Sequence, residues 1–505
     1  MKRALTTILL ARAPGLHAAS FCENLANRRA LKVSEATVTV VESVAAGQFT
    51  PPTPVGPAGG AAFRNLPGFC RVAATLRPVE DSEIKIEVWL PASGWNGKLQ
   101  AVGNGAWAGS ISYPAMATAV SAGYAAASTD SGHTGNSPAF IPGHPEKVTD
   151  FAWRAIHEMT TAAKAITAAH YGNNPQRAYF NGCSTGGRQA LTEAQRFPND
   201  FDGIIAGAPA YYTTRLQGMQ VWTAQAVHKD EASYLPVEKY VLLHRAVLQA
   251  CDALDGVKDG VLEDPTRCHF DPVRLACNNG AGPDCLTAPQ VEAARKIYSG
   301  PANPSTGQNI FPGLEPGSEL GWASLTGPKP MSLAVEVYQH LVFHKPDWNY
   351  LDFDPAKDFT TASAEIGASM DAIDPNLKPL WAHGGKLLLY HGWADPGIPP
   401  RSSVSYHKSV VEAMGGAAEA NDSIRLFMVP GMGHCRGGDG TDTFDPVSPL
   451  DAWVTAGKAP DQIPASHLTN GVVDKTRPLC PYPEVAKYKG TGDTNSAANF
   501  TCQAP

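Results

Sequence analysis

The chain has no stretch of about 18 consecutive apolar residues, the length a bilayer crossing needs, so no membrane span is expected. It has no basic surplus either. Its 40 lysines and arginines face 47 aspartates and glutamates, and the formal net charge of -7 argues against a phosphate-rich partner such as a nucleic acid. No C-x-x-C pair occurs among its cysteines, which removes a common thiolate metal pattern. Internal repeats and low-complexity tracts are missing too. What remains is an ordinary globular composition, 43% hydrophobic and 17% charged, with 48 glycines and 42 prolines that point to many turns.

At 505 residues the chain exceeds what one compact core supports, so a catalytic domain with a large insertion or a second domain is expected. Ten cysteines are present, Cys22, Cys70, Cys183, Cys251, Cys268, Cys277, Cys285, Cys435, Cys480 and Cys502. Their even number fits an oxidising compartment, so the protein reads as secreted or periplasmic. Residues 1–20 read as an atypical targeting segment: Lys2-Arg3, an apolar stretch from Ala4 that Arg12 cuts short, then small residues at Ala18, Ala19 and Ser20.

Strand-like alternation covers Arg71 to Leu76 and Ile84 to Leu90, and Leu99 to Val102 runs into the loop Gly103-Asn104-Gly105. Asp150 to His170 carries Phe151, Ile156, Met159, Ala163 and Ile166 on one face and predicts a helix. Strand and helix then alternate: strand Arg177 to Phe180, a turn at Ser184, helix Gly187 to Phe197, strand Gly203 to Gly207. That is the order of a doubly wound, mostly parallel sheet. From Tyr212 to His383 the alternation lapses, which predicts an inserted lid, and it resumes at Lys386 to Tyr390 and Ile424 to Val429. The expected division is therefore a catalytic domain from 21–211 and 384–505, with a lid from 212–383.

Ser184 lies in Gly182-Cys183-Ser184-Thr185-Gly186, between a predicted strand and a predicted helix. A serine nucleophile on such a sharp turn needs glycine neighbours, because the strained backbone leaves no room for side chains there. Asp395 follows one late strand and His434 follows the next, so the chain order Ser, Asp, His is that of an α/β-hydrolase. In that arrangement His434 takes the Ser184 proton and Asp395 orients and stabilises the imidazole. Cys183 precedes Ser184 and Cys435 follows His434; if the two pair, the bridge brings the nucleophile and base together although 250 positions separate them. His133 and His391 rank below His434 because neither follows the last core strand, and Asp202 reads as a turn residue. An oxyanion hole should use the Thr185 amide and one from an early loop, with Gly105 preferred and Gly103 or Ala106 as alternatives.

The combination of Cys183-Ser184, Asp395 and His434-Cys435, with the wider string from Asn181 to Gln189, resembles the tannase and feruloyl esterase family. The resemblance spans about Cys22 to Cys502 and implies five bridges: Cys22 with Cys70, Cys183 with Cys435, Cys251 with Cys268, Cys277 with Cys285, and Cys480 with Cys502. It also implies a structural Ca²⁺ in the lid, held by Asp252, Asp255, Asp259 and the carbonyl oxygens of Val257 and Val261. The spacing of that loop is not that of an EF-hand.

Family members act on esters of aromatic acids, so a small aromatic ester is the expected substrate. Trp222, Trp322, Phe343, Trp348 and Tyr350 are aromatics available in the lid, and Ile398 is expected to border the acyl pocket. Thr185 stands where the terephthalate-cleaving member carries an acidic residue, and no arginine is placed for a free carboxylate, with Lys329 and Lys345 weak substitutes. The reading is a serine carboxylesterase of phenolic acids, feruloyl esterase-like. Galloyl esters and mono(2-hydroxyethyl) terephthalate are the alternatives. A silent binding module on a hydrolase scaffold is the alternative of another class, disfavoured because all three triad residues are present. A peptidase on the same fold is set aside by the resemblance alone. Oligomeric state is not read from the sequence.

Overall fold

The structure, a computed structural model, describes residues 22, 25, 36–52, 60–278 and 280–505; the expected targeting segment lies outside the described residues. Nine strands form one sheet: β1 (Ala36–Val44), β2 (Phe69–Leu76), β3 (Ile84–Pro91), β4 (Lys98–Val102), β5 (Ala125–Thr129), β6 (Arg177–Cys183), β7 (Gly203–Gly207), β8 (Lys386–Gly392) and β9 (Ile424–Val429). Their spatial order is β1-β2-β3-β5-β4-β6-β7-β8-β9. β1, β2, β3 and β5 pair antiparallel in turn, and from β5 to β9 every pairing is parallel.

Period-2 alternation assigns each side chain to a face. Phe180, Ile204, Leu387 and Leu389 join the cluster on one face, while Tyr179, Ile205, Leu388 and Tyr390 join that on the other. Every residue of β5 and β7 is buried, as expected of strands covered on both faces. The covering helices include α1 (Tyr113–Ser121), α2 (Ala155–Tyr171) and α3 (Thr185–Arg196).

Between β7 and β8 the chain leaves the sheet and builds α4 (Thr213–His228), α5 (Val237–Cys251), α6 (Ala288–Ser299) and many short helices. This insert has its own apolar clusters, one around Tyr338, Phe353 and Phe359, another around Tyr240, Leu243 and Trp322. After β9 come a three-stranded antiparallel sheet (Thr443–Phe444, Ile463–Thr469, Val472–Leu479) and a ribbon (Val485–Tyr488, Phe500–Gln503), neither foreseen from the sequence.

Two helix boundaries differ from expectation. The helix expected from Asp150 begins earlier, at Pro145, and passes through a π turn at Asp150–Arg154 before α2. Arg188, arriving from α3, donates to the carbonyls of Ala152 at 2.8 Å and Phe151 at 3.1 Å, and Ala155 N-H reaches back to Asp150 instead. A cation inserted against the backbone ladder is a recognised cause of such a distortion. The helix after the serine starts at Thr185 rather than Gly187, because the turn is complete within one residue.

Candidate active site

Ser184 stands at the carboxyl end of β6 with φ 65 and ψ -120, a conformation a non-glycine residue adopts only under constraint, at roughly 1–3 kcal/mol. The glycines around it are required by contact. A Cβ on Gly182 would lie 2.5 Å from the Gly186 carbonyl oxygen, and one on Gly187 would overlap the Gly207 carbonyl oxygen. The turn is held by Ser184 N-H donating to Gly207 O at 2.9 Å and by Ala210 N-H donating to Ser184 O at 3.1 Å.

Asp395 and His434 follow β8 and β9, neighbours in the sheet, so their loops converge on the serine. The Ser184 hydroxyl lies 2.9 Å from His434 Nε2, and His434 Nδ1 lies 2.7 Å from Asp395 Oδ2. Asp395 is fully buried, and its other oxygen accepts from Gly397 N-H at 2.8 Å and Ile398 N-H at 2.9 Å. Cys183 and Cys435 are bridged, with Cα atoms 6.1 Å apart, and Cys435 itself adopts φ 64. The other four bridges are Cys22–Cys70, Cys251–Cys268, Cys277–Cys285 and Cys480–Cys502.

His391 enters as a partner that sequence reasoning ranked low. Fully buried, it sits with Nε2 3.1 Å from Asp395 Oδ2 and Nδ1 2.7 Å from Ser403 Oγ. Burial alone would raise the Asp395 pKa, but attraction to His434 and hydrogen bonds from His391 and His434 hold it below the ordinary carboxylate range. For His434, burial works to lower the pKa, and the Asp395 charge and hydrogen bond outweigh it, so the net shift is upward. The chain of groups can therefore accept a proton from the serine hydroxyl and bear the resulting charge next to a carboxylate that stays ionised. His133 is buried against Trp107 O at 2.7 Å, and Asp202 accepts from Ala178 N-H at 2.8 Å, both in structural contacts away from this chain of groups.

The early loop packs directly onto the serine turn. Thr185 Oγ donates to Ala106 O at 2.8 Å, and Ala106 is forced to φ 46. Gly103 N-H donates to Asn181 O at 3.0 Å, which removes that alternative for an oxyanion donor. The amides of Gly105 and Ala106 have no acceptor among the described residues, and Thr185 N-H is the first donor of α3, which has no intrahelical partner by construction.

Ser184 and His434 line two cavities. One, about 210 Å³, lies between the sheet and the insert, bounded by Trp107, Phe151, Leu216, Leu333, Met370 and Ile398. The other, about 940 Å³, runs past Gly105, Tyr124, Tyr390 and Phe444. Ile398 lines the smaller cavity. Its ring-bearing walls, however, are Trp107 and Phe151, stacked 4.0 Å apart, and neither cavity is lined by Trp222, Trp322, Phe343, Trp348, Tyr350, Lys329 or Lys345. Trp322 is buried against Tyr298 and Tyr240, and Trp348 stacks on Tyr338, so the insert spends these rings on its own cores. Arg188 also borders the smaller cavity, its pKa pushed down to about 10 by burial. Hydrophobic periodicity could not reveal Trp107 or Phe151 as cavity walls, since both also read as ordinary core residues.

Among the described residues no three His, Cys, Asp or Glu side chains are gathered to hold a metal. In the Cys251–Cys268 loop, Asp252 accepts from Asp259 N-H and Gly260 N-H at 3.2 and 3.1 Å, and Asp255 accepts from Val257 N-H at 2.8 Å. Asp259 pairs with Arg477 at 2.6 Å and Lys475 at 3.3 Å. Burial, with the charges of Asp259 and Asp252 adding to it, raises Asp255 to about 6 against a backbone hydrogen bond from Val257. Asp252, Asp255 and Asp259 supply oxygens of the kind Ca²⁺ takes, but here backbone amides occupy Asp252 and Asp255, and two cations neutralise Asp259.

The sheet order and the strained serine turn define an α/β-hydrolase. The chain belongs to the tannase and feruloyl esterase family, whose model matches residues 70–503. It is 36% identical to an uncharacterized esterase of Xanthomonas campestris pv. campestris, over 99% of this chain and 94% of that one. The mono(2-hydroxyethyl) terephthalate hydrolase of Piscinibacter sakaiensis is 34% identical over 96% of this chain and 92% of its own length. The crystal structure of feruloyl esterase B from Aspergillus oryzae superposes with a TM-score of 0.88 at 30% identity, covering 96% of this chain and all of that one. The protein is a carboxylic ester hydrolase.

Proposed function

We propose that Ser184, His434 and Asp395 hydrolyse esters of phenolic acids through an acyl-enzyme, in the manner of a feruloyl esterase. Ser184 Oγ attacks the ester carbonyl as His434 takes its proton; His434 returns that proton to the departing alcohol, then activates the water that frees the acid. The Thr185 amide and that of Gly105 or Ala106 hold the oxyanion. The observation that carries the reading is the 2.9 Å Ser184–His434 contact at the mouth of an apolar cavity walled by stacked Trp107 and Phe151. That cavity would take the aromatic acyl group, with Ile398 at its border, and the larger groove would take the alcohol. The insert acts as its lid, Ca²⁺ at Asp252, Asp255, Asp259 and the Val257 and Val261 carbonyls braces that lid, and the five bridges suit export to an oxidising compartment. Hydrolysis of methyl ferulate, methyl gallate and mono(2-hydroxyethyl) terephthalate by the wild type and Ser184→Ala tests it. Expected is turnover of a phenolic ester that falls about 10⁴-fold or more in the variant; turnover retained in Ser184→Ala would sink the proposal.

A further inference from the structure

Helix α5 of the insert buries Tyr240, Leu243, Val247 and Cys251, and among them stands one histidine, His244. Both of its ring nitrogens face carboxylates. Nδ1 lies 2.9 Å from Glu319 Oε2, and Nε2 lies 3.4 Å from Asp439 Oδ2. A neutral imidazole carries one N-H, so one of these contacts would set a lone pair against a carboxylate oxygen; only the imidazolium presents a proton to both. Glu319 is fully buried and fixed, its Oε1 accepting from Tyr298 OH at 2.8 Å and Gly317 N-H at 2.9 Å. Asp439 belongs instead to the loop after β9 that carries His434, and it has no other ion-pair partner among the described residues. That loop folds back on itself: Gly433 N-H donates to Gly437 O at 2.7 Å and Gly440 N-H to Gly431 O at 3.2 Å, with Met432 and Gly438 bridged. A displacement of Asp439 is therefore passed to His434.

We infer that His244 is a positioning residue for the reaction: its imidazolium, anchored by Glu319, pins Asp439 and so ties the loop bearing His434 to the insert. This rests on the reading of Ser184 and His434 as nucleophile and base. Burial works to lower the His244 pKa, and its contacts with Asp439 and Glu319 outweigh that, raising it to about 9. The tie is fully present below 6.5, the ordinary histidine value, and is lost as pH rises through about 9. Facing His244 are Glu319, with Tyr298 of α6 behind it, and Asp439, with Lys475 and His467 of the C-terminal sheet beyond. On α5 itself Tyr240 is spent on Thr326 O.

The test is the second-order rate constant for labelling of Ser184 by a fluorophosphonate, followed from about pH 7 to about pH 10 in the wild type, Asp439→Asn and Asp439→Ala. Labelling needs His434 to take the Ser184 proton, yet does not depend on which acid or alcohol the natural ester carries. The wild-type rate should fall about fivefold or more with a midpoint near pH 9, as the His434 loop is released. An asparagine amide can donate or accept, so Asp439→Asn should keep the contact through the titration and hold its rate within about twofold across the range. Asp439→Ala, with no contact to lose, should be about fivefold slow at every pH. A wild-type rate that stays flat to about pH 10, or the same alkaline fall in both variants, overturns the inference and leaves the esterase reading intact. Absence of Ser184 labelling in the wild type at every pH overturns the Ser–His reading and the inference with it.

Discussion

His434 is the residue whose environment makes the sharpest solution prediction. Its pKa is raised from 6.5 because attraction to Asp395 outweighs burial. Only the neutral imidazole can take the serine proton, so kcat/KM should fall as pH drops through that raised value, with the midpoint of the acid limb above 6.5. A pH profile with the limb below 6.5 would contradict the assigned ion pair. Asp395→Asn should lower kcat by about 10⁴-fold by losing the carboxylate that holds the tautomer, while leaving the fold in place. Ser184, Asp395 and His434 were legible in the sequence because each follows a predicted strand within a glycine-rich loop. His391 was not, since only the fold shows it sharing Asp395 with His434.

Among the elements, β6 and the loop after β9 carry the nucleophile and the base, and a single bridge ties them. Cys183 and Cys435 flank the two reacting residues, and both Ser184 and Cys435 hold left-handed backbone, so the bridge constrains two strained turns against each other. Replacing both cysteines by alanine should lower kcat about 10²-fold, since a shift of about 1 Å in the Ser–His contact has that effect, and should lower stability by about 2–5 kcal/mol. Steady-state kinetics with thermal melts separate the two; unchanged kcat would reject a role in alignment. The π turn at Asp150–Arg154 belongs to this scale too. Its helix was foreseen from periodicity, but the distortion comes from Arg188, which stands 34 positions after Arg154 in sequence and meets it only in the fold.

The whole molecule joins a nine-stranded sheet to an insert that closes one side of the site. The acidic loop at Asp252 links that insert to the C-terminal sheet, because Asp259 pairs with Arg477 and Lys475 of the strand Val472–Leu479. If Ca²⁺ is bound there, EGTA should lower the melting temperature by about 3 °C or more, and added Ca²⁺ should restore it. An unchanged melt at saturating chelator would count against the ion. Asp255→Ala should abolish the Ca²⁺ response while leaving Ser184 reactive toward a fluorophosphonate.

Local pattern determined a great deal about this protein. Period-2 alternation located β2 and β3, short apolar runs in strand-helix order located β4, β6, β7, β8 and β9, and the glycine-serine turn with its strand-following partners pointed to the serine, aspartate and histidine before any coordinates. These are short-range signals, set by backbone sterics and by side-chain periodicity within a few residues. The cavity walls, the His244–Asp439 contact, the His391–Asp395 contact and the partners of Asp259 were decided only by tertiary structure. Each depends on which distant segments pack together, and a tryptophan facing the core or a histidine on a helix reads the same in sequence whether or not a cavity or a carboxylate lies beyond it.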